Sequence, residues 1–243
     1  MLRKLLKYDL RANMKIYCFL WPCIVIAAIL QRLLLPADLP DELHSFLIPL
    51  ITMLLMFSIF GAVIGAMVVC ISRFYKGLLK EEGYLMFTLP VHAWQLILSK
   101  LLVSMMTIIV TGLLSFVSVI FFADGLTDGY SIPALLMTVG EIVVDSKPSA
   151  LIFLIVLTVL YQALAVLLIY LACAIGHLAK KHRIVASVGA WFGLNYGYQF
   201  AVILFGVVLG HSSPWFITLT VAALVALSFY FTHRILQKRL NLE

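Results

Sequence analysis

Six long apolar stretches constrain the fold of this chain more than any other feature. A helix that crosses a hydrocarbon core of about 30 Å needs ~20 apolar residues. Hydrophobic residues make up 64% of the 243 residues and charged residues only 12%, which leaves too little polar surface to cover a soluble globule. We therefore predict a single all-α integral membrane domain, residues 1–243, with six transmembrane helices at Ile16–Leu35, Phe46–Ile71, Leu96–Phe122, Ala150–His177, Ile184–Leu209 and Trp215–Thr232.

The basic residues fall on one side of these predicted spans. Of the 17 lysines and arginines, only Arg32 and Lys147 fall on the other side. Because lysine and arginine concentrate in cytoplasmic connections, the pattern predicts that both termini are cytoplasmic. Membrane topology thereby accounts for the net charge of +6, and no nucleic-acid partner is expected. We expect a multi-pass protein of the plasma membrane of a bacterial cell.

The first fifteen residues have the pattern of an amphipathic helix. Leucines and one methionine recur at helical spacing, and basic residues follow one another every four positions as Arg3, Lys7, Arg11 and Lys15. A helix of this kind lies in the headgroup layer of a membrane, so residues 1–15 are predicted to form an interfacial helix. The alternative is a simple basic flank that only fixes the orientation of the first span.

The predicted spans lack the groups that ion-coupled transport or catalysis would need. No Asp, Glu, Lys or Arg lies in the middle third of any span, and Lys100 is placed near a helix end, where it is expected to snorkel. The four cysteines form no C-x-x-C pair, and no phosphate-binding G-x-x-x-x-G-K-[ST] sequence is present. We expect a protein that is not an enzyme and holds no metal or cofactor of its own.

The connection between spans two and three, residues 73–95, is unusual for a solvated loop. Five of the six residues from Tyr84 to Leu89 are large and apolar. Pro90 disfavours helical geometry at the residue before it, so a short helix would end there. The pattern predicts a helix that docks into a cytoplasmic partner. A segment that rests on the lipid surface is the alternative.

This connection resembles the cytoplasmic-loop signature of ABC-2 type transporter permeases. The matching residues are Glu81-Glu82-Gly83-Tyr84-Leu85-Met86-Phe87-Thr88-Leu89-Pro90-Val91, followed by Trp94 and by Leu98-Ser99-Lys100-Leu101-Leu102. The six spans, the cytoplasmic termini and the amphipathic N-terminal helix are also similar to that family. The motif itself covers about twenty residues, whereas the similarity in layout extends over the whole chain.

The resemblance implies the transmembrane subunit of an ATP-driven exporter. Such a permease pairs with a second permease, identical or different, and binds a separate cytoplasmic ATP-binding subunit that holds ATP and Mg. The coupling helix that contacts this subunit would comprise Glu81, Glu82, Gly83, Tyr84, Leu85, Met86, Leu89 and Pro90. One feature departs from the family: the outer connection between spans five and six is short, and the long one is residues 123–149, between spans three and four.

Uncharged polar side chains in spans four and five mark a possible substrate pathway. They are Tyr161, Gln162, Asn195, Tyr196 and Gln199. Asn195 and Gln199 are four residues apart and share a helix face, and an amide that faces lipid is costly. The alternative role is interhelical hydrogen bonding, which membrane helices commonly use. A route lined in this way suits an amphiphile such as an antimicrobial peptide, a drug or a lipid-like molecule, and the resemblance favours export.

Two other functions remain open from the sequence. One is a secondary carrier driven by an ion gradient, and the other is a non-transporting membrane protein with an immunity or assembly role. Gly61 and Gly65 form a G-x-x-x-G pair in span two, which permits close helix approach and is a candidate dimer contact.

Overall fold

The computed structural model describes residues 2–34, 41–79, 93–126, 137, 141, 148–179, 182–208 and 214–238. Within these residues the chain is almost entirely helical, which confirms the predicted all-α class. The helices are α1 (Leu2–Leu34), α2 (Asp41–Phe74) with a π-helical turn (Tyr75–Leu79) directly after it, α3 (Ala93–Leu126), α4 (Pro148–Leu178), α5 (Arg183–Val208) and α6 (Pro214–Lys238).

Five helical segments are long and apolar enough to cross a membrane, as expected of a multi-pass protein. They are Leu5–Leu30, Ser45–Gly77, Trp94–Ile120, Pro148–Leu178 and Trp215–Gln237. Helix α5 has 26 residues, or about 39 Å, and is long enough to cross a membrane. Its described part is not among the segments that are apolar enough to do so. Its glycines, tyrosines and amides lower its hydropathy. The sixth span and the topology therefore stay predictions.

The boundary predicted near residue 15 does not coincide with the end of a helix. Helix α1 runs unbroken from Leu2 to Leu34, with Pro22 inside it, and the interfacial position of its first turns stays a prediction. Lysine, arginine and leucine are all good helix formers, and nothing in the basic segment stops the helix. At about 50 Å, α1 is longer than a bilayer core of about 30 Å. A helix of this length that crosses a bilayer either extends past the hydrocarbon or tilts within it.

Two other predicted boundaries also move outward along the helices. The connection predicted at residues 73–95 is helical as far as Leu79, and α3 continues to Leu126, past the predicted start of the outer connection. In both places the helix extends into polar residues that a hydropathy pattern leaves outside the span.

The chain divides into two compact units. Unit 1 comprises Met1–Asp9, Cys70–Met105 and Pro148–Glu243, and unit 2 comprises Leu10–Val69 and Met106–Lys147. In unit 1, α4 packs along both α5 and α6 and also touches the π-helical turn. Leu164 and Leu168 of α4 bury Val221 of α6 between them and neighbouring apolar side chains. Helix α4 is thus the centre of this unit.

Helices α4 and α5 lie close together at Gly176. A Cβ atom at this position would lie 2.7 Å from the Cα of Ser187, closer than real Cβ contacts allow. The turn between the helices includes His182 at φ 62°, a left-handed conformation that a non-glycine residue seldom adopts. The His182 carbonyl accepts a hydrogen bond from the Ala186 amide at 3.1 Å, which begins α5.

Unit 2 is held mainly by apolar packing between α1 and α2. Tyr17 packs with Ala66 and Val69 in one cluster, and Ala27 and Ala28 pack with Leu55 in a second. Trp21 adds a hydrogen bond from its indole nitrogen to the Thr111 hydroxyl at 3.1 Å.

The two glycines of the G-x-x-x-G pair have different surroundings. A Cβ on Gly65 would lie 2.9 Å from the end of the Leu20 side chain, whereas a Cβ on Gly61 would meet nothing within 4 Å. Gly65 therefore serves packing within the chain.

Candidate functional site

The predicted coupling helix lies outside the described residues. This holds for Glu81, Glu82, Gly83, Tyr84, Leu85, Met86, Leu89 and Pro90, whose role stays a prediction. The structure does describe the chain on both sides of them, which is the π-helical turn and the first turns of α3. Both flanks belong to unit 1.

The segment before the predicted coupling helix is fixed against α4 by aromatic contacts. Phe74 is fully buried and stacks on Tyr170, with ring centroids 4.2 Å apart and an interplanar angle of 10°. The next residue, Tyr75, lies tilted against His177 at 6.2 Å. Two consecutive rings thus hold the start of the connection against two turns of one helix.

The segment after the predicted coupling helix contains a buried ion pair. Lys100 lies two turns inside α3, and its Nζ is 3.4 Å from Asp9 Oδ1 of α1. The exposed fractions of the two side chains are 5% and 18%. Ser99 Oγ lies 3.3 Å from the other oxygen of the same carboxylate and 3.0 Å from the Leu96 carbonyl. A charge in this position is tolerated because a counter-charge and a hydroxyl compensate it.

The lysine also reaches the π-helical turn. A Cβ on Gly77 would lie 2.7 Å from Lys100 Nζ, so the absence of a side chain at Gly77 makes room for the amino group. Asp9, Gly77, Ser99 and Lys100 together form what we call the loop anchor. It joins the N-terminal turns of α1 to both flanks of the predicted coupling helix.

A second polar cluster lies along α4. Ser104 Oγ of α3 is 2.9 Å from the Tyr170 hydroxyl, and the Cys70 thiol is within hydrogen-bonding reach of both. About two helical turns before Tyr170 on α4, the Gln162 amide donates to the Met105 carbonyl at 3.0 Å. These neutral hydrogen bonds tie α3 to α4 in unit 1.

The predicted pathway residues do not form a single cluster. Gln162 makes the interhelical hydrogen bond just described, and Asn195 donates to the Trp191 carbonyl of its own helix at 3.0 Å. Tyr161 lies edge-on to Tyr198, with centroids 6.2 Å apart. The remaining two, Tyr196 and Gln199, are exposed on α5. Two amide side chains are thus used internally, while Tyr161, Tyr196 and Gln199 present polar groups at the protein surface.

Sequence reasoning missed the pairing of Asp9 with Lys100. Lys100 was expected to snorkel, but the structure buries it, because α3 starts at Ala93 and the lysine therefore lies inside the helix rather than at its end. One signal was available: Asp9 is the only acidic residue before Asp38, and it interrupts a basic helix. Ninety-one positions separate the two residues. No local pattern connects them.

Comparison with known proteins adds no relative. No protein-family model matches the chain, and neither a curated protein nor a solved structure matches it significantly. Within the described ranges, no three His, Cys, Asp or Glu side chains come together as metal ligands would. The loop anchor is therefore the most distinctive polar arrangement that these residues offer.

Proposed function

We propose that this chain is the membrane-spanning permease subunit of an ATP-driven ABC-2 type exporter. The sequence from Glu81 to Val91 supports this by its resemblance to the coupling loop of that family. The observation that carries the proposal is the loop anchor. It fixes both flanks of this segment to buried parts of the helices, as a segment that receives force requires.

In this proposal, the work comes from a separate cytoplasmic ATP-binding subunit that holds ATP and Mg. Its closure on nucleotide presses on the coupling helix, and the helices rock between inward-open and outward-open arrangements. Displacement of the loop reaches α3 and α1 through Lys100 and Asp9, and α4 through Phe74 and Tyr170. The permease transmits the movement and forms the route for the substrate, and it does not hydrolyse ATP itself. Six spans with cytoplasmic termini and a second permease complete the proposed assembly in a bacterial plasma membrane.

Transmission of this kind needs contacts that stay closed under thermal motion. Removal of one member of a buried ion pair typically costs about 3–5 kcal/mol, several times the thermal energy of about 0.6 kcal/mol. Stacked aromatic rings contribute about 0.5–1.5 kcal/mol beyond the area that they bury. In this proposal, the ion pair on one flank and the aromatic stack on the other carry the displacement to the helices.

The cargo that fits best is an amphiphile moved outward. Tyr161, Tyr196 and Gln199 offer hydroxyl and amide groups beside large exposed apolar side chains such as Phe192 and Phe200. Such a surface suits an antimicrobial peptide, a drug or a lipid-like molecule, which presents both kinds of group.

Charge reversal in the coupling segment tests the proposal. The chain is co-expressed and purified with a candidate P-loop ATP-binding subunit, and ATP hydrolysis is measured in nanodiscs. We expect Glu81→Arg with Glu82→Arg to abolish the stimulation of hydrolysis by substrate. Asp124→Arg with Asp128→Arg, in the predicted outer connection, makes the same change in charge and should leave stimulation intact. Normal stimulation in the Glu81/Glu82 variant would remove the coupling role.

The buried ion pair itself favours a second candidate, an ion-gradient-driven carrier. A carrier needs an ionisable group that binds and releases the coupling ion, and Asp9 with Lys100 is a buried ionisable pair. A carrier would accumulate substrate in liposomes under a proton or sodium gradient with no ATP-binding subunit present. An ABC permease would stay inactive in that assay.

A further inference from the structure

Helix α1 carries an exposed row of basic side chains. Lys7, Arg11 and Lys15 follow one another at intervals of four residues, so they lie along one side of the helix, and all three are exposed. We call these three residues the basic stripe. Exposed apolar side chains, Leu10 and Met14 among them, lie beside it.

The one acidic residue of this segment does not neutralise the stripe. Asp9 is mostly buried and directs both carboxylate oxygens at Lys100 and Ser99 of α3. The ion pair therefore removes the only anion from the exposed surface of these helical turns. The stripe presents three positive charges with no acidic side chain on the same helix to offset them.

The length of α1 places the stripe at a membrane surface. Along the helix, Lys15 and Arg32 are about 25 Å apart, close to the ~30 Å thickness of the hydrocarbon core. A hydrocarbon core between these two residues has Lys15 at its edge, with Arg11 about 6 Å and Lys7 about 12 Å further out along the helix. The headgroup layer is roughly 5–7 Å deep. Flexible basic side chains bring all three charges within reach of it.

We propose that the basic stripe binds the headgroups of anionic phospholipids in the leaflet that contains the N-terminus. The phosphate groups supply the negative charge that α1 lacks, and the Arg11 guanidinium can donate two parallel hydrogen bonds to one phosphate. Attraction of this kind is worth about five-fold in affinity for each basic residue near an anionic surface. The binding needs no nucleotide and no transport activity.

The test counts lipids on the isolated, full-length protein. Detergent-purified protein is mixed with equal amounts of dioleoyl phosphatidylglycerol and dioleoyl phosphatidylcholine, and the retained lipids are counted by native mass spectrometry. We expect a preference for phosphatidylglycerol that falls at least tenfold in the triple variant Lys7→Gln, Arg11→Gln, Lys15→Gln. The preference should also fall when salt is added, because the attraction is electrostatic.

A matched variant separates the stripe from overall charge. Lys76→Gln, Arg183→Gln and Arg234→Gln remove three exposed positive charges from other helical segments, and this protein should keep the preference. An equal loss in both variants, or no loss in the stripe variant, would overturn the proposal. So would a stripe variant that keeps its lipid preference but no longer binds the ATP-binding subunit, because the stripe would then serve a protein surface. Thermal unfolding of each variant confirms that the fold is intact.

Discussion

The two units of this chain differ in the polar contacts that join their helices. Unit 1 contains a buried ion pair, a serine–tyrosine hydrogen bond and a glutamine bonded to a backbone carbonyl of another helix. Unit 2 depends on small and apolar side chains, such as Ala27, Ala28 and Leu55, with an indole-to-hydroxyl hydrogen bond between Trp21 and Thr111.

This difference predicts which single substitutions should lower the free energy of unfolding most. Apolar packing loses stability in proportion to the volume removed. A charged pair behaves differently, because loss of one member leaves the other buried without compensation. The flanks of the predicted coupling helix lie in unit 1, so the segment that would receive force is also the one held by the contacts most sensitive to change.

The largest expected effect is at the ion pair. Asp9→Asn leaves the almost fully buried Lys100 without its counter-charge, and we expect a loss of about 3 kcal/mol in the free energy of unfolding. Lys100→Met keeps the volume of the side chain and leaves Asp9 partly exposed, so its loss should be smaller. Equilibrium unfolding by SDS in mixed micelles measures both.

Lys7→Met is the matched control, because Lys7 is exposed on the same helix. It should change stability by less than about 0.5 kcal/mol. If Asp9→Asn were as harmless as the control, the ion pair would contribute nothing to unit 1, and the contrast between the units would fail. The order of the two anchor variants is a further check, since a reversed order would mean that the carboxylate bears the larger desolvation cost.

The same contrast separates what could be predicted from sequence from what could not. Hydropathy located α2, α3, α4 and α6 because a long apolar run has few other uses. Hydropathy placed a boundary inside α1 near residue 15 where the helix continues, since charge ends an apolar pattern but does not end a helix. The amides Gln162 and Asn195 were recognised as polar groups needing an explanation, yet their hydrogen-bond acceptors are backbone carbonyls, which no side-chain pattern reveals. The loop anchor depends on α1 and α3 meeting in space.

The next largest effect should be at the contact between α4 and α5. Gly176→Ala would place a methyl group 2.7 Å from the Ser187 backbone, which can move only if the helices separate. We expect a net loss of about 2 kcal/mol in unfolding free energy, typical of overpacking. Gly193→Ala on α5 is the control, because nothing lies within 4 Å of the added atom. Similar losses in both variants would show that helical glycine, not close approach, sets the effect.

Removal of one hydroxyl group from each unit should lower the free energy of unfolding by a smaller amount. Thr111→Val in unit 2 leaves the Trp21 indole without its acceptor and should cost about 1–2 kcal/mol. Tyr170→Phe in unit 1 keeps the stack on Phe74, and Cys70 remains beside Ser104, so about 1 kcal/mol is expected. The SDS titration used for the ion pair ranks them. If Tyr170→Phe proved the more costly, the polar cluster of unit 1 would act as one cooperative network rather than as separate bonds.

The smallest effect should come from the glycine of unit 2 that faces a side chain. Gly65→Ala places its methyl group 2.9 Å from a terminal carbon of Leu20, which can rotate away, in contrast to the backbone that faces Gly176. Alanine is also the better helix former by up to about 1 kcal/mol, which offsets the crowding. We expect a change within about 0.5 kcal/mol of zero, measured beside Gly61→Ala, whose added atom meets open space. A loss as large as that of Gly176→Ala would mean that α1 and α2 pack as rigidly as α4 and α5, and that apolar packing alone makes unit 2 as intolerant as unit 1.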